Sequence, residues 1–166
     1  VTVRSEYDAR NRLASRWWEG TEVDNIRADF DYTAVGQLAQ VDRWADDDRM
    51  TSAGSTDYAY NLAGRPSQIV HKNAADEVLA KYDYDFDFGG LLTQDVLDHI
   101  TDAYDRTADY AYDSRGQLLS ALYDNDQTDE SFSYDANGNR TLSGYITGPG
   151  NRLLSDGTFN YTYDAE

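Results

Sequence analysis

Cysteine is absent from the 166 residues, so the chain has no disulfide and no thiolate-held metal. Proline is limited to Pro66 and Pro149, methionine to Met50 and lysine to Lys72 and Lys81. Bases are scarce altogether: 14 stand against 31 acids, for a formal charge of −17. Phosphate recognition needs clustered Lys and Arg, so this balance disfavours nucleic acid and anionic membrane as partners. No apolar run approaches the ~18 residues of a membrane span, and no charged and apolar leader opens the chain. Membrane insertion is therefore not expected. Histidine is limited to His71 and His99, which show no metal-ligand spacing. There is no Gly-x-Ser-x-Gly elbow and no phosphate-cradling glycine loop, and carboxylate pairs say little in so acidic a chain. These absences lead to an expectation of a non-enzymatic protein with no catalytic residue.

What the chain has is tyrosine, 14 of them, and a heptad that recurs. Its fullest copy is Tyr112-Asp113-Ser114-Arg115-Gly116-Gln117-Leu118: an aromatic anchor, an acid, two residues, a glycine, a polar residue and a leucine. The same frame starts at Tyr7, Tyr32, Tyr60, Phe86 and Tyr134, and a further copy opens at Tyr163, with anchors 22 to 29 residues apart. The glycine position holds Gly36, Gly64, Gly90, Gly116 and Gly138, with Asn11 in the first copy. A second aromatic precedes most anchors by two, as in Phe30 and Tyr32, Tyr58 and Tyr60, or Tyr110 and Tyr112.

Each part of the frame has a physical reading. Spacing of two puts both rings on one face of a strand, and aromatics suit a pleated, half-buried surface. Asp or Asn after the anchor bonds the backbone two residues on and starts a turn. Glycine then supplies positive φ without steric cost, and Asn is the next best left-handed residue. Each copy reads as strand, tight turn, strand. A fixed frame at variable spacing predicts variable loops at the opposite hairpin ends, at Glu19-Gly20-Thr21-Glu22, Asp46-Asp47-Asp48, Asn73-Ala74-Ala75-Asp76 and Asp124-Asn125-Asp126. Residues 91–104 fit a helix through Leu92, Val96 and Ile100, but the surrounding frame favours a strand. Gly148-Pro149-Gly150-Asn151-Arg152-Leu153 and Ser155-Asp156-Gly157-Thr158 signal one additional short hairpin.

The frame resembles the YD repeat, also called the RHS repeat, with its Tyr-Asp-x-x-Gly-x-Leu signature. Tyr134-Asp135-Ala136-Asn137-Gly138-Asn139-Arg140 and Tyr163-Asp164-Ala165-Glu166 also look like frequent forms of that repeat. Thr33 and Asn61 depart from it at the acid, Phe86 at the anchor, and Pro66 and Arg140 at the leucine. Pro66 puts strand pairing around it in question, since proline is confined to edges, strand starts and bulges. The resemblance implies a large exported or surface protein. Its repeats would form a continuous antiparallel β-ribbon spiralling into a hollow shell, as in polymorphic toxins or teneurin-like adhesion proteins. The Asp-Pro cleavage motif of the toxin group has no counterpart, because neither proline follows an Asp.

The expected fold is thus all-β, with antiparallel hairpin repeats in one continuous twisted or spiral sheet over residues 1–166, no internal domain boundary and no caps at either end. The expected function is a structural segment of a shell or stalk, secreted or at the cell surface. Its partners would be neighbouring repeats of the same chain and, through exposed edge strands, other copies. The rival reading is a binding module. Adjacent Trp17 and Trp18 must point to opposite faces of a strand, so one is a candidate for stacking on a glycan. Asp124, Asp126 and Asp129 alternate oxygens as a hard cation requires, and so are the candidate Ca²⁺ ligands, though the loop lacks the Gly and Glu of an EF-hand. Asp46-Asp47-Asp48 reads as a solvated loop tip.

Overall fold

The computed structural model is all-β and describes residues 2–20 and 25–164. Val1, Thr21–Asp24, Ala165 and Glu166 lie outside, and with them part of the expected 19–22 loop and of the last repeat copy. Eleven antiparallel strands form one open sheet in chain order. They are β1 Thr2–Tyr7, β2 Leu13–Glu19, β3 Ile26–Tyr32, β4 Leu38–Trp44, β5 Ser52–Tyr60, β6 Pro66–Lys72, β7 Val78–Phe86, β8 Leu92–His99, β9 Arg106–Tyr112, β10 Leu118–Tyr123 and β11 Glu130–Ser131. A separate two-stranded sheet holds β12 Tyr145–Thr147 and β13 Leu153–Asp156. The chain divides into two compact units, Val1–Asp85 with Asp95–Thr107, and Phe86–Gln94 with Ala108–Glu166.

The alternation of side chains sets the register. In the first unit Phe30, Val41, Thr56, His71 and Ala80 stand opposite one another across β3 to β7. The next row of that face brings Tyr58, Ile69 and Tyr82 together. The other face carries Asp31, Gln40, Asp57, Val70 and Lys81 in one row. A one-residue slip would move every ring among the charges, so the pattern fixes the pairing. Buried hydrophobics are few and small: Val41 and Ala80 in the first unit, Ala108 and Ala121 in the second. Buried Ser15, Thr56, Asp95 and Ser155 complete this thin core. The larger rings around them are half-buried.

Residues 91–104 form strand β8 followed by a 3-10 turn, Asp102–Tyr104. Pro66 opens β6 opposite Tyr60, just past a bulge, so its missing N–H falls at the strand start. Two details differ from expectation. The frame at Tyr134 makes only an isolated bridge to Arg140 instead of a strand pair. The added hairpin is β12–β13 around Gly148–Arg152, while the later turn at Asp156 and Gly157 leads only to a bridge between Ser155 and Asn160.

Candidate functional site: a ladder of turns and tyrosines

The repeat frame folds into one kind of turn. In the second unit Asp113 N–H donates to the Gln117 carbonyl at 2.9 Å, and Gly116 N–H to the Asp113 carbonyl at 3.0 Å. Asp113 Oδ1 also accepts from the N–H groups of Arg115 at 2.8 Å and Gln117 at 2.9 Å. Asp8 does the same for Arg10 and Arg12, Asn61 for Ala63 and Arg65, and Asp135 for Asn137 and Asn139. Thr33, with a single oxygen on a short arm, holds only Gln37 N–H, at 3.1 Å. Gly36, Gly64, Gly90, Gly116 and Gly138 have φ of 92°, 79°, 92°, 77° and 85°, and Asn11 has 59°. This is the three-residue hairpin with a left-handed bulge position. Its cost in charge is small, because the acid is put to use. The Arg12 N–H, then its guanidinium, hold Asp8 below the ordinary carboxylate range. The Gln117 N–H does so for Asp113, and the Asn139 side-chain amide and N–H for Asp135.

Asn73-Ala74-Ala75-Asp76-Glu77 is a further copy of this turn, where the sequence suggested only a variable loop. Asn73 Oδ1 accepts from Ala75 N–H at 2.9 Å and Glu77 N–H at 3.0 Å, and Asp76 takes the left-handed place with φ 64°. It was missed because it lacks both the aromatic anchor and the glycine. The Asp46 loop is likewise ordered: Asp46 Oδ1 accepts Met50 N–H at 2.9 Å, and Ala45 N–H reaches the Thr51 carbonyl. Its first acid caps the loop, while Asp48, Arg49 and Met50 at the tip are exposed to solvent.

The anchor rings do more than fill the face. Tyr32 OH donates to the Leu13 carbonyl at 2.9 Å, Tyr60 OH to Leu38 at 2.8 Å and Tyr112 OH to Leu92 at 2.8 Å. Tyr134 OH reaches Leu118 at 3.0 Å and Tyr163 OH reaches Leu153 at 2.8 Å. In the first four the target is the leucine that closes the previous copy of the frame. Each of these four tyrosines therefore stitches one repeat to the one before it. The turns are linked as well: Arg10 Nη1 donates to the Ala34 carbonyl at 3.2 Å, Gln37 Nε2 to Gly64 at 2.9 Å, and Arg115 Nη1 to Ala136 at 2.8 Å. The sequence did carry the signal, since every anchor but Phe86 is Tyr and packing alone would accept Phe.

The candidate ligand residues fare unequally. Trp17 is half-buried, donates Nε1 to Glu19 Oε1 at 2.8 Å and lies under the Arg27 guanidinium, 4.9 Å from the ring centre. Trp18, also half-buried, lines a depression of about 360 Å³ together with Ile26, Ala28, Trp44 and Ala53. Asp124, Asp126 and Asp129 are not gathered as a ligand set: among the described residues no group of three or more His, Cys, Asp or Glu is placed to hold a metal ion. Asp129 instead accepts Tyr123 N–H at 2.9 Å, and Asn125 accepts Gln127 N–H at 3.0 Å, so these oxygens shape the loop. Among the described residues no helix is long and apolar enough to cross a membrane.

Comparison with solved structures finds the same fold in segments of much longer chains. The chain superposes on a Tc holotoxin pore of Photorhabdus luminescens with a TM-score of 0.66 and 21% identity, over 95% of this chain and 8% of that one. A TcdB2–TccC3 crystal structure without its hypervariable C-terminal region gives a TM-score of 0.50 at 16% identity, over 92% and 10%. The likeness is one of fold.

Two curated relatives are similar in sequence. The tRNA nuclease WapA of Bacillus subtilis is 32% identical over 103 residues, and the tRNA3(Ser)-specific nuclease WapA of Bacillus spizizenii is 31% identical over 103 residues. The match takes in 62% of this chain and spans 3% of the length of either relative. No protein-family model matches the chain. These relatives correct the expectation of a protein outside enzymology, because the polypeptides that this chain resembles are named as nucleases. An absence of catalytic motifs in one stretch of repeats says nothing about the longer polypeptide in which such a stretch occurs.

Proposed function

We propose that the chain is a wall segment of a YD-repeat shell in a much larger exported, toxin-type polypeptide. The observation that carries this reading is the tyrosine stitch, which ties four copies of the frame each to the one before it. An array joined in this way grows by adding one more hairpin, as repeat architectures do. The thin core supports the same reading, because a single sheet with small central residues encloses space more readily than it forms a globule. The resemblance of the heptad, the fold of the Tc toxin chains and the likeness to WapA agree on a toxin-associated setting.

The test is deletion of residues 33–60, one whole repeat and two strands, from the polypeptide that carries this segment. Such a deletion keeps the antiparallel alternation and shortens the wall. An enclosed part should then become open to protease while the remaining repeats stay resistant. An unchanged digestion pattern would refute the wall reading.

A further inference from the structure

The depression beside Trp18 has a chemistry of its own. It lies where β2 ends, β3 begins, β4 ends and β5 begins, all within the first unit. Trp18 pairs with Ile26 and Ala28 with Arg43 across the strands, so these four side chains share one face. Ala53 adds to the apolar lining, and the indole of Trp44, one place on from Arg43, lies on the other face with Arg27 and Asp29. Arg43 is exposed and adds one positive charge. Its guanidinium makes a single hydrogen bond, Nη1 to Thr56 Oγ1 at 2.8 Å, and forms no ion pair among the described residues.

That is notable in a chain of −17, where acids outnumber bases 31 to 14. Arg27, which also borders the depression, is held by Asp29 Oδ1 at 2.7 Å, is nearer than 4 Å to Glu6 and covers Trp17. Arg49 is likewise held by Asp29, at 2.6 Å. Trp44 gives its indole N–H to Asp29 Oδ2 at 3.0 Å, which fixes its ring. The face therefore offers one indole, an isoleucine and two alanines for a flat apolar group, beside one guanidinium with donors to spare.

We propose that this depression binds an aromatic carboxylate: the ring against Trp18 and Ile26, the carboxylate on Arg43. Guanidinium matches a carboxylate in charge and in its two-pronged geometry, and indole surfaces favour stacked or edge-on aromatic contact. The volume is at the small end of ligand pockets, which fits a single-ring compound. The site does not use Trp17, and it stands independently of the wall reading.

The probe is 3-phenylpropionate, compared with its neutral amide, 3-phenylpropanamide, by titration calorimetry on the whole chain at physiological ionic strength. There the field of the acidic chain is screened over about 8 Å. The acid should bind at one site per chain with a dissociation constant of about 1 mM, the scale for so small a ligand. The amide should bind about tenfold more weakly. Arg43→Gln should weaken the acid about tenfold and leave the amide unchanged, and Trp18→Ala should abolish both. Arg115→Gln, in the other unit, should change nothing. Equal binding of acid and amide to the unmodified chain would overturn the proposal, whatever the variants do to folding. So would the absence of saturable heat with the acid, or full affinity in a folded Arg43→Gln chain.

Discussion

Two glycines with positive φ should respond very differently to the same methyl group. Gly116 sits at the left-handed place of its turn with φ 77°, and a Cβ there would meet nothing nearer than Leu91 Cδ1 at 3.6 Å, an ordinary contact. Gly116→Ala therefore carries only the backbone cost of a left-handed alanine, about 1–2 kcal/mol. Gly116→Asn should recover part of it, since Asn11 and Asp76 occupy the equivalent place natively with φ of 59° and 64°. Gly54 lies inside β5 with φ 114°, and its Cβ would stand 2.3 Å from the Lys72 carbonyl oxygen. That atom is backbone on the neighbouring strand β6, so it cannot swing aside as a side chain would. The two strands must part locally, weakening the ladder around Ser55 and Lys72 as well as straining residue 54. The expected loss is about 3 kcal/mol or more, in the range reserved for overpacking combined with backbone strain. Urea denaturation followed by far-ultraviolet circular dichroism measures both variants. A Gly54→Ala chain as stable as Gly116→Ala would refute the claim that close backbone approach, and not turn geometry alone, decides where glycine is needed.

Tyr60→Phe and Tyr112→Phe should each cost about 1 kcal/mol, the usual net worth of one hydrogen bond, and the double variant should show the sum in urea melts. Asp8, Asp113 and Asp135 are depressed by the N–H and side-chain donors of their turns, so their contribution is full above the unfolded carboxylate value of about 3.9 and is lost as pH falls through the lower folded values. Urea midpoints measured down that range should drop, and Asp113→Asn should flatten part of the drop. Asp42 is raised, by burial first and then by Asp31, Asp29 and Asp57, so the sign is opposite: its charge opposes folding at neutral pH. Asp42→Asn should raise the midpoint at pH 7, and the gain should vanish once the native Asp42 is protonated. Among the described residues strand β1 pairs with β2 alone, and in this 166-residue chain that edge should join copies edge to edge as salt screens their repulsion. Sedimentation should show mass rising from low to physiological ionic strength, and an unchanging monomer would count against it.

The heptad made the fold legible because its parts act locally. Asp113 bonds residues two and four places on, and Gly116 needs only its own φ, so neither depends on distant chain. The strands follow from the aromatic spacing, as Phe30 and Tyr32 or Tyr58 and Tyr60 illustrate. What stayed hidden depends on partners far apart in sequence. The Tyr60 hydroxyl and the Leu38 carbonyl are 22 residues apart, and nothing in either segment names the other. The depression draws on β2, β3, β4 and β5, and no single stretch carries its pattern. Arg43 passed without notice for that reason, while Trp17 and Trp18 drew attention by adjacency. Tyr134 shows the opposite failure. A local frame complete but for its leucine made only a bridge, to the Arg140 that replaces it.

The acidity of the chain also takes on a different meaning in the fold. Read as composition, −17 suggests a surface that attracts cations. In the structure many of the carboxylates already have a task. Asp8, Asp113 and Asp135 hold repeat turns, Asp46 and Asp129 close loops at the other strand ends, and Asp105 accepts His99 N–H at 2.7 Å. Asp156 holds the N–H groups of Thr158 and Phe159 and accepts Tyr161 OH at 2.6 Å. Each of these bonds satisfies a backbone or phenol donor that a thin sheet cannot bury elsewhere. A carboxylate committed to such donors is a poor ligand for a soft or mobile counter-charge, since binding the ion would break the turn. Part of the negative charge is thus a by-product of building hairpins with Asp. Asn61 and Asn73 hold the same turn without charge, so each Asp in that place adds a charge the turn itself does not require, and the Arg43 guanidinium beside an apolar hollow becomes the more informative residue.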